Sequence, residues 1–212
     1  MSSYSLDPIA ANCYPDTTVL INKFGIRDES KLLQVEIAIT QVAAASWEFS
    51  PKVDTFDFEH YKEIHRHLFQ DLYEWAGQVR DVNISKQRTK FCPYQDIESS
   101  ADRVFKRLHR LDCFRGLGEK EFVSEFVDLY VITNHLHPFR EGNGRTQRLF
   151  LSQLARNAEY KLDFSDIDID DLMVATIHSA QGVTDGLKRI FTKAIMKSPK
   201  STEPEAVTLM NG

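Results

Sequence analysis

One proline and two glycines within seven positions, Pro138, Gly142 and Gly144, separate two strongly apolar stretches and so fix where this chain must turn. Upstream, Phe122, Phe126, Leu129, Val131 and Ile132 fall near helical spacing, which predicts an amphipathic helix over 119–136. Pro138 disfavours helical backbone at the residue before it, so the helix should end near Leu136 and leave His137 at the mouth of a loop. Gly142 and Gly144 supply positive φ, or simply no Cβ, where backbone N–H groups can approach a ligand. From Asn143 onward Leu149, Phe150, Leu151, Leu154 and Ala155 restore the helical pattern. A loop that opens a helix in this way offers unpaired N–H groups at its N-terminus, a ready anion site.

The polar residues of the run sharpen that expectation. Arg145 and Arg148 share a helix face at i and i+3, with no carboxylate at i+4, near the positive end of the helix dipole. Arginine forks suit phosphate, and an anion would offset the repulsion. Glu141 beside them suits Mg²⁺, which favours one or two carboxylates together with substrate phosphates. His137 is of a type that can take a proton from an incoming hydroxyl. On the residues alone a plainer reading stays open: a helix–loop–helix corner with a C-terminal His and solvated arginines.

The run from His137 to Arg148 matches the pattern H-x-F-x-[D/E]-G-N-G-R-x-x-R at every position, and so resembles the signature of the Fic family (filamentation induced by cAMP). The similarity extends to Ile64–Phe69, to Tyr73–Arg80 and to Ser85–Phe91, and covers roughly 10–195. It implies a mostly α Fic fold, a helical bundle with one β-hairpin flap beside the active site. It also implies transfer of AMP from ATP to a Tyr, Thr or Ser hydroxyl of a target protein. Carried over, His137 is the base and Glu141 the Mg²⁺ ligand. Gly142, Asn143 and Gly144 form the anion nest, Arg145 and Arg148 grip the β/γ-phosphates, and Phe139 is a core anchor. Gly144 stands where the related death-on-curing kinases carry Lys, which favours AMP transfer over phosphorylation.

The flap is expected over 79–93: Asp81-Val82-Asn83-Ile84-Ser85 alternates like a half-buried strand, Gln87 and Arg88 sit near the turn, and Thr89-Lys90-Phe91-Cys92 returns. Gln87, Arg88, Thr89, Lys90 and Phe91 would hold the target in extended form, and Lys86 and Thr89 could touch nucleotide. Many Fic proteins carry an inhibitory helix with the pattern [S/T]-x-x-x-E-[G/N]. Thr55 to His60 and Ser201 to Ala206 each fail to complete it. Resemblance to the family's stand-alone bacterial toxins then implies a small separate antitoxin supplying the inhibitory Glu in trans. It also implies a target such as the ATPase subunit of DNA gyrase or its topoisomerase IV counterpart.

His60, His65 and His67 lack the i, i+4 spacing of a helical zinc pair and read as partly solvated helix positions. The aspartates 163, 166, 168, 170 and 171 lack the central Gly and terminal Glu of an EF-hand loop and read as a helix entry with an Asp N-cap.

At 212 residues the chain suits one domain over 1–197, irregular over 1–18, with a tail over 198–212 expected to be disordered. Helical patterns fall at about 28–47, 57–75, 95–111, 119–136, 144–158, 169–180 and 183–197, and the hairpin is the one strand pattern. Net charge −5 argues against general nucleic-acid binding. Three widely spaced cysteines indicate a reducing compartment, and the absence of a long apolar run or a signal-peptide pattern indicates a cytoplasmic protein off the membrane. Two competing functions follow from the same residues: a Fic module that binds nucleotide or a phosphorylated protein without turnover, and a protein kinase.

Overall fold

The computed structural model describes residues 5–6, 12–48, 55–86 and 89–197. Among these, seven helices carry the architecture: α1 (Glu29–Glu48), α2 (Phe58–Phe69), α3 (Ile97–Arg110), α4 (Glu119–Leu136), α5 (Asn143–Asn157), α6 (Ile169–Ser179) and α7 (Asp185–Ala194). The mostly α bundle expected from the sequence is what forms. Gln87, Arg88 and the tail over 198–212, with its near-match to the inhibitory pattern, lie outside the described residues.

Short polar side chains cap α2 and α6. Asp57 accepts from the His60 N–H at 2.8 Å at the head of α2, and Asp168 accepts from the N–H groups of Asp170 and Asp171 at the head of α6. The acidic segment before α6 is thus the helix entry expected of it. On α2, His60, Tyr61, Ile64, His65, Leu68 and Phe69 form one buried stripe at helical spacing. Against it packs the buried face of α5, with Phe150, Leu151 and Leu154, while Phe122 and Phe126 of α4 fill the neighbouring layer.

Three boundaries differ from the sequence reading. α2 stops at Phe69 rather than near 75, because the chain turns through Leu72 to Gly77, where φ is +81°. The flap hairpin, β2 (Ile84–Lys86) with β3 (Thr89–Lys90), gains β1 (Ser5–Leu6) on its other side, with Leu6 opposite Ile84. The last helix ends at Ala194, and Ile195–Lys197 forms a strand, β5, antiparallel to β4 (Tyr160–Leu162). The hairpin is therefore part of one of two small sheets. Strands of two or three residues joining segments so far apart in sequence leave no local pattern to read.

Candidate active site

α4 ends as Pro138 dictates, with His137 as its C-cap in the left-handed region (φ 42°, ψ 58°). A non-glycine residue held there is strained, and such strain gathers at functional positions. Arg80 holds it in place. That buried guanidinium donates through Nε to the His137 carbonyl at 2.8 Å and through Nη1 to the Val82 carbonyl at 2.7 Å, and it also reaches the Cys92 carbonyl. One side chain therefore ties the histidine to both ends of the flap.

His137 is only 7% exposed, and its ring stacks on Phe91 with centroids 3.7 Å apart. Its Nδ1 lies 3.0 Å from the Asn134 carbonyl, an acceptor, so Nδ1 carries the proton and Nε2 carries the basic lone pair. Burial pushes the imidazole pKa down to about 3, and the nearby Arg80 and Lys86 charges act in the same direction.

After Phe139, which is fully buried, the loop is closed by Asn143. Its amide oxygen accepts from the Phe139 N–H and its amide nitrogen donates to the Phe139 carbonyl, both at 2.8 Å. The Asn143 side chain therefore closes the loop on itself. Gly142 is required for two reasons: its φ is +79°, and a Cβ there would lie 2.3 Å from the Phe69 ring. Gly144, inside the first turn of α5, has ordinary backbone, but a Cβ would crowd Arg148 Nη1 at 3.3 Å. Glu141 is half-buried, and only Oε1 of its carboxylate is engaged among the described residues, by the Gly142 N–H at 2.9 Å. Burial raises its pKa, and the Glu36 carboxylate adds to the rise.

The two motif arginines have different surroundings. Arg145 is paired with Glu36 of α1, lies over the Phe69 ring and stands 3.6 Å from Glu141. The repulsion between the arginines is thus relieved from α1 and from the preceding turn, not from i+4. Arg148 is exposed and forms no salt bridge among the described residues. Both reach a cavity of about 310 Å³, whose lining also includes Lys86, Thr89, Phe91, His137, Glu141, Gly142 and Gly144. Lys90 lies on β3 with its side chain exposed and off that lining.

Several residues lining the cavity were not singled out from the sequence. The far wall of the cavity is α6, through Ile169, Leu172, Met173, Thr176 and Ile177. The spacing of 169, 173 and 177 is helical, yet Ile169 is 78% exposed, so this is an apolar face turned to the cavity rather than to the core. Tyr130 hydrogen-bonds Thr176 at 2.9 Å and ties that wall to α4.

The reading of His60 and His65 as partly solvated is corrected: both are buried, on the α2 stripe. His65 accepts at Nδ1 from the Gly77 N–H at 2.8 Å and donates from Nε2 to the Glu141 carbonyl at 3.1 Å. With both nitrogens engaged, it is a strut behind the motif loop.

Comparison with known proteins bears out the resemblance to the Fic family. The sequence profile of the Fic/DOC family matches residues 55–155. The protein adenylyltransferase VbhT of Bartonella schoenbuchensis is 41% identical over 81% of this chain, which spans only 36% of VbhT's length. The probable protein adenylyltransferase Fic of Salmonella typhimurium is 36% identical over 87% of this chain and 92% of its own. The crystal structure of the BepC effector of Bartonella tribocorum with bound AMPPNP superposes with a TM-score of 0.83 at 28% identity, covering 90% of this chain and 98% of that one.

Proposed function

This chain belongs to the Fic/DOC family, and from that premise we propose that it transfers AMP from ATP to a hydroxyl side chain of a target protein. It is an enzyme of the nucleotidyltransferase class, as its relatives are named. One observation carries the reading. His137, with Nδ1 tied to Asn134, presents its basic nitrogen from the wall of a cavity that also holds Arg148 and a helix N-terminus.

In the proposed reaction the target hydroxyl oxygen attacks the α-phosphorus. The bond from that phosphorus to the α,β-bridging oxygen breaks, pyrophosphate leaves, and the hydroxyl proton passes to His137. The protein's share is position and charge: Arg148 and the first-turn N–H groups of α5 take the phosphates, and Lys86 and Thr89 border them. The apolar α6 wall suits a nucleobase face. Glu141, a single half-buried carboxylate with one oxygen engaged, fits a Mg²⁺ ligand shared with phosphates. The ion would neutralise phosphate charge.

The target backbone would add to the flap at β3, since β2 already pairs with β1 on its other side. We further propose a cytoplasmic enzyme whose targets are the ATPase subunits of the type II topoisomerases, DNA gyrase and topoisomerase IV. A small separate antitoxin supplying a Glu would restrain it. No helix among the described residues is long and apolar enough to cross a membrane.

The test is incubation of the purified chain in bacterial lysate with Mg²⁺ and either α- or γ-labelled ATP. Label reaching a discrete protein from the α position only is the expected result. Label from the γ position would make the chain a kinase, and none from either would favour the binding module.

A further inference from the structure

We propose that Glu36 of α1 is a positioning residue for the divalent-cation site at Glu141, acting through the guanidinium of Arg145. The inference rests on the reading of Glu141 as the Mg²⁺ ligand.

Glu36 is 5% exposed and lies 109 positions before the arginine it holds. One of its oxygens accepts from Arg145 Nη2 and the other from the Tyr73 hydroxyl. Arg145 Nη1 donates to the Thr40 hydroxyl at 3.3 Å, and the guanidinium carbon stands 4.8 Å from the centre of the Phe69 ring. Nη2, the nitrogen that meets Glu36, is also 3.6 Å from Glu141 Oε1. Two carboxylates from different parts of the chain thus flank one immobilised cation.

A buried ion pair gives little net stability, and an apolar pair of similar volume would pack as well, so its charges call for another explanation. Without Glu36, Arg145 would have Glu141 as its one carboxylate partner. The pair would close on itself, and a fixed positive charge would face any incoming cation. With Glu36 present, the guanidinium is neutralised from behind, and the cluster keeps an excess negative charge on the cavity side, at Glu141. Outer partners that orient and charge-balance a metal ligand act in this way. Arg148, which lacks a carboxylate partner among the described residues, is left to meet phosphate.

The experiment measures AMPPNP affinity by calorimetry, first in EDTA and then at rising Mg²⁺, for the wild-type chain and for Glu36→Gln. The expected result is a Mg²⁺ requirement raised about ten- to a hundred-fold in Glu36→Gln, with affinity in EDTA unchanged. An unchanged Mg²⁺ requirement would overturn the proposal and leave Glu36 as a brace between helices. Tighter AMPPNP binding in EDTA would also overturn it, since Glu36 would then be restraining Arg145 from the phosphates. A wild-type chain whose affinity does not respond to Mg²⁺ would instead reject Glu141 as the ion's ligand. Should Glu36→Gln fail to fold, Tyr73→Phe keeps the charge and loses only one hydrogen bond. It should retain most of the Mg²⁺ response, and complete loss there would overturn the proposal.

Discussion

His65 and His137 form an instructive pair. Each is buried, each stacks on a phenylalanine (Phe139 for His65, Phe91 for His137), and burial holds each imidazole down to about 3. Their hydrogen bonds separate them. His65 spends both nitrogens on backbone groups, Gly77 N–H and Glu141 carbonyl, and carries its proton on Nε2. His137 carries its proton on Nδ1 and stands on the cavity wall. Burial and a depressed pKa therefore do not distinguish the proposed base from the strut; tautomer and access to the cavity do. His65 holds the loop that carries Glu141, and His137 is the one placed to meet a substrate in the proposed reaction.

The largest expected effect tests the His137 side. His137→Ala should lower AMP transfer from α-labelled ATP by about 10²–10⁴-fold, the usual span for loss of a general base. Its unfolding midpoint should move less than that of His65→Leu, because it frees one backbone group, the Asn134 carbonyl, beside a cavity, where His65→Leu frees two in the core. Retained transfer in that variant would remove the assignment of His137 as base.

The second effect belongs to His65. His65→Leu keeps an apolar ring-sized body but orphans the buried Gly77 N–H and the Glu141 carbonyl, each costing about 1–3 kcal/mol. Denaturant unfolding should show that loss. Equal destabilisation by His137→Ala would break the contrast between strut and base.

How far the sequence disclosed this site follows from the range of each interaction. The loop was legible because its determinants are local: Pro138 ends α4, Gly142 needs φ +79°, and the α5 boundary falls at Asn143. Glu36 and His65 were not, since their bonds to the motif span 109 and 76 positions, and no local periodicity encodes them. His65 did leave a trace. Positions 60, 61, 64, 65, 68 and 69 make one helical stripe, and weighing His60 and His65 by metal spacing rather than by that stripe reads them as partly solvated. Arg80 lay within a segment already matched to the family, yet its role as clamp depends on carbonyl positions that only the folded chain supplies.

The smallest effect, and the sharpest on the comparison, is in the pH dependence of stability. Both histidines have folded pKa values near 3, below the ordinary 6.5. Between those limits the unfolded chain binds a proton at each position and the folded chain does not. Stability contributed by the two is complete above about 6.5 and falls as pH drops toward 3, by about 1.4 kcal/mol per pH unit for each histidine. Glu141 works the other way, since its folded pKa is raised and protonation on acidification favours the folded chain, so the total slope mixes signs. Differences between variants isolate the histidines: His65→Leu and His137→Ala should each remove one proton's worth of slope between pH 6 and 4. Nitrogen-15 NMR of the wild-type chain over that range should find both rings neutral and in opposite tautomers. If the two variants differ in slope, the histidine with the smaller change is already protonated in the folded chain at that pH, and the symmetry of their burial no longer holds.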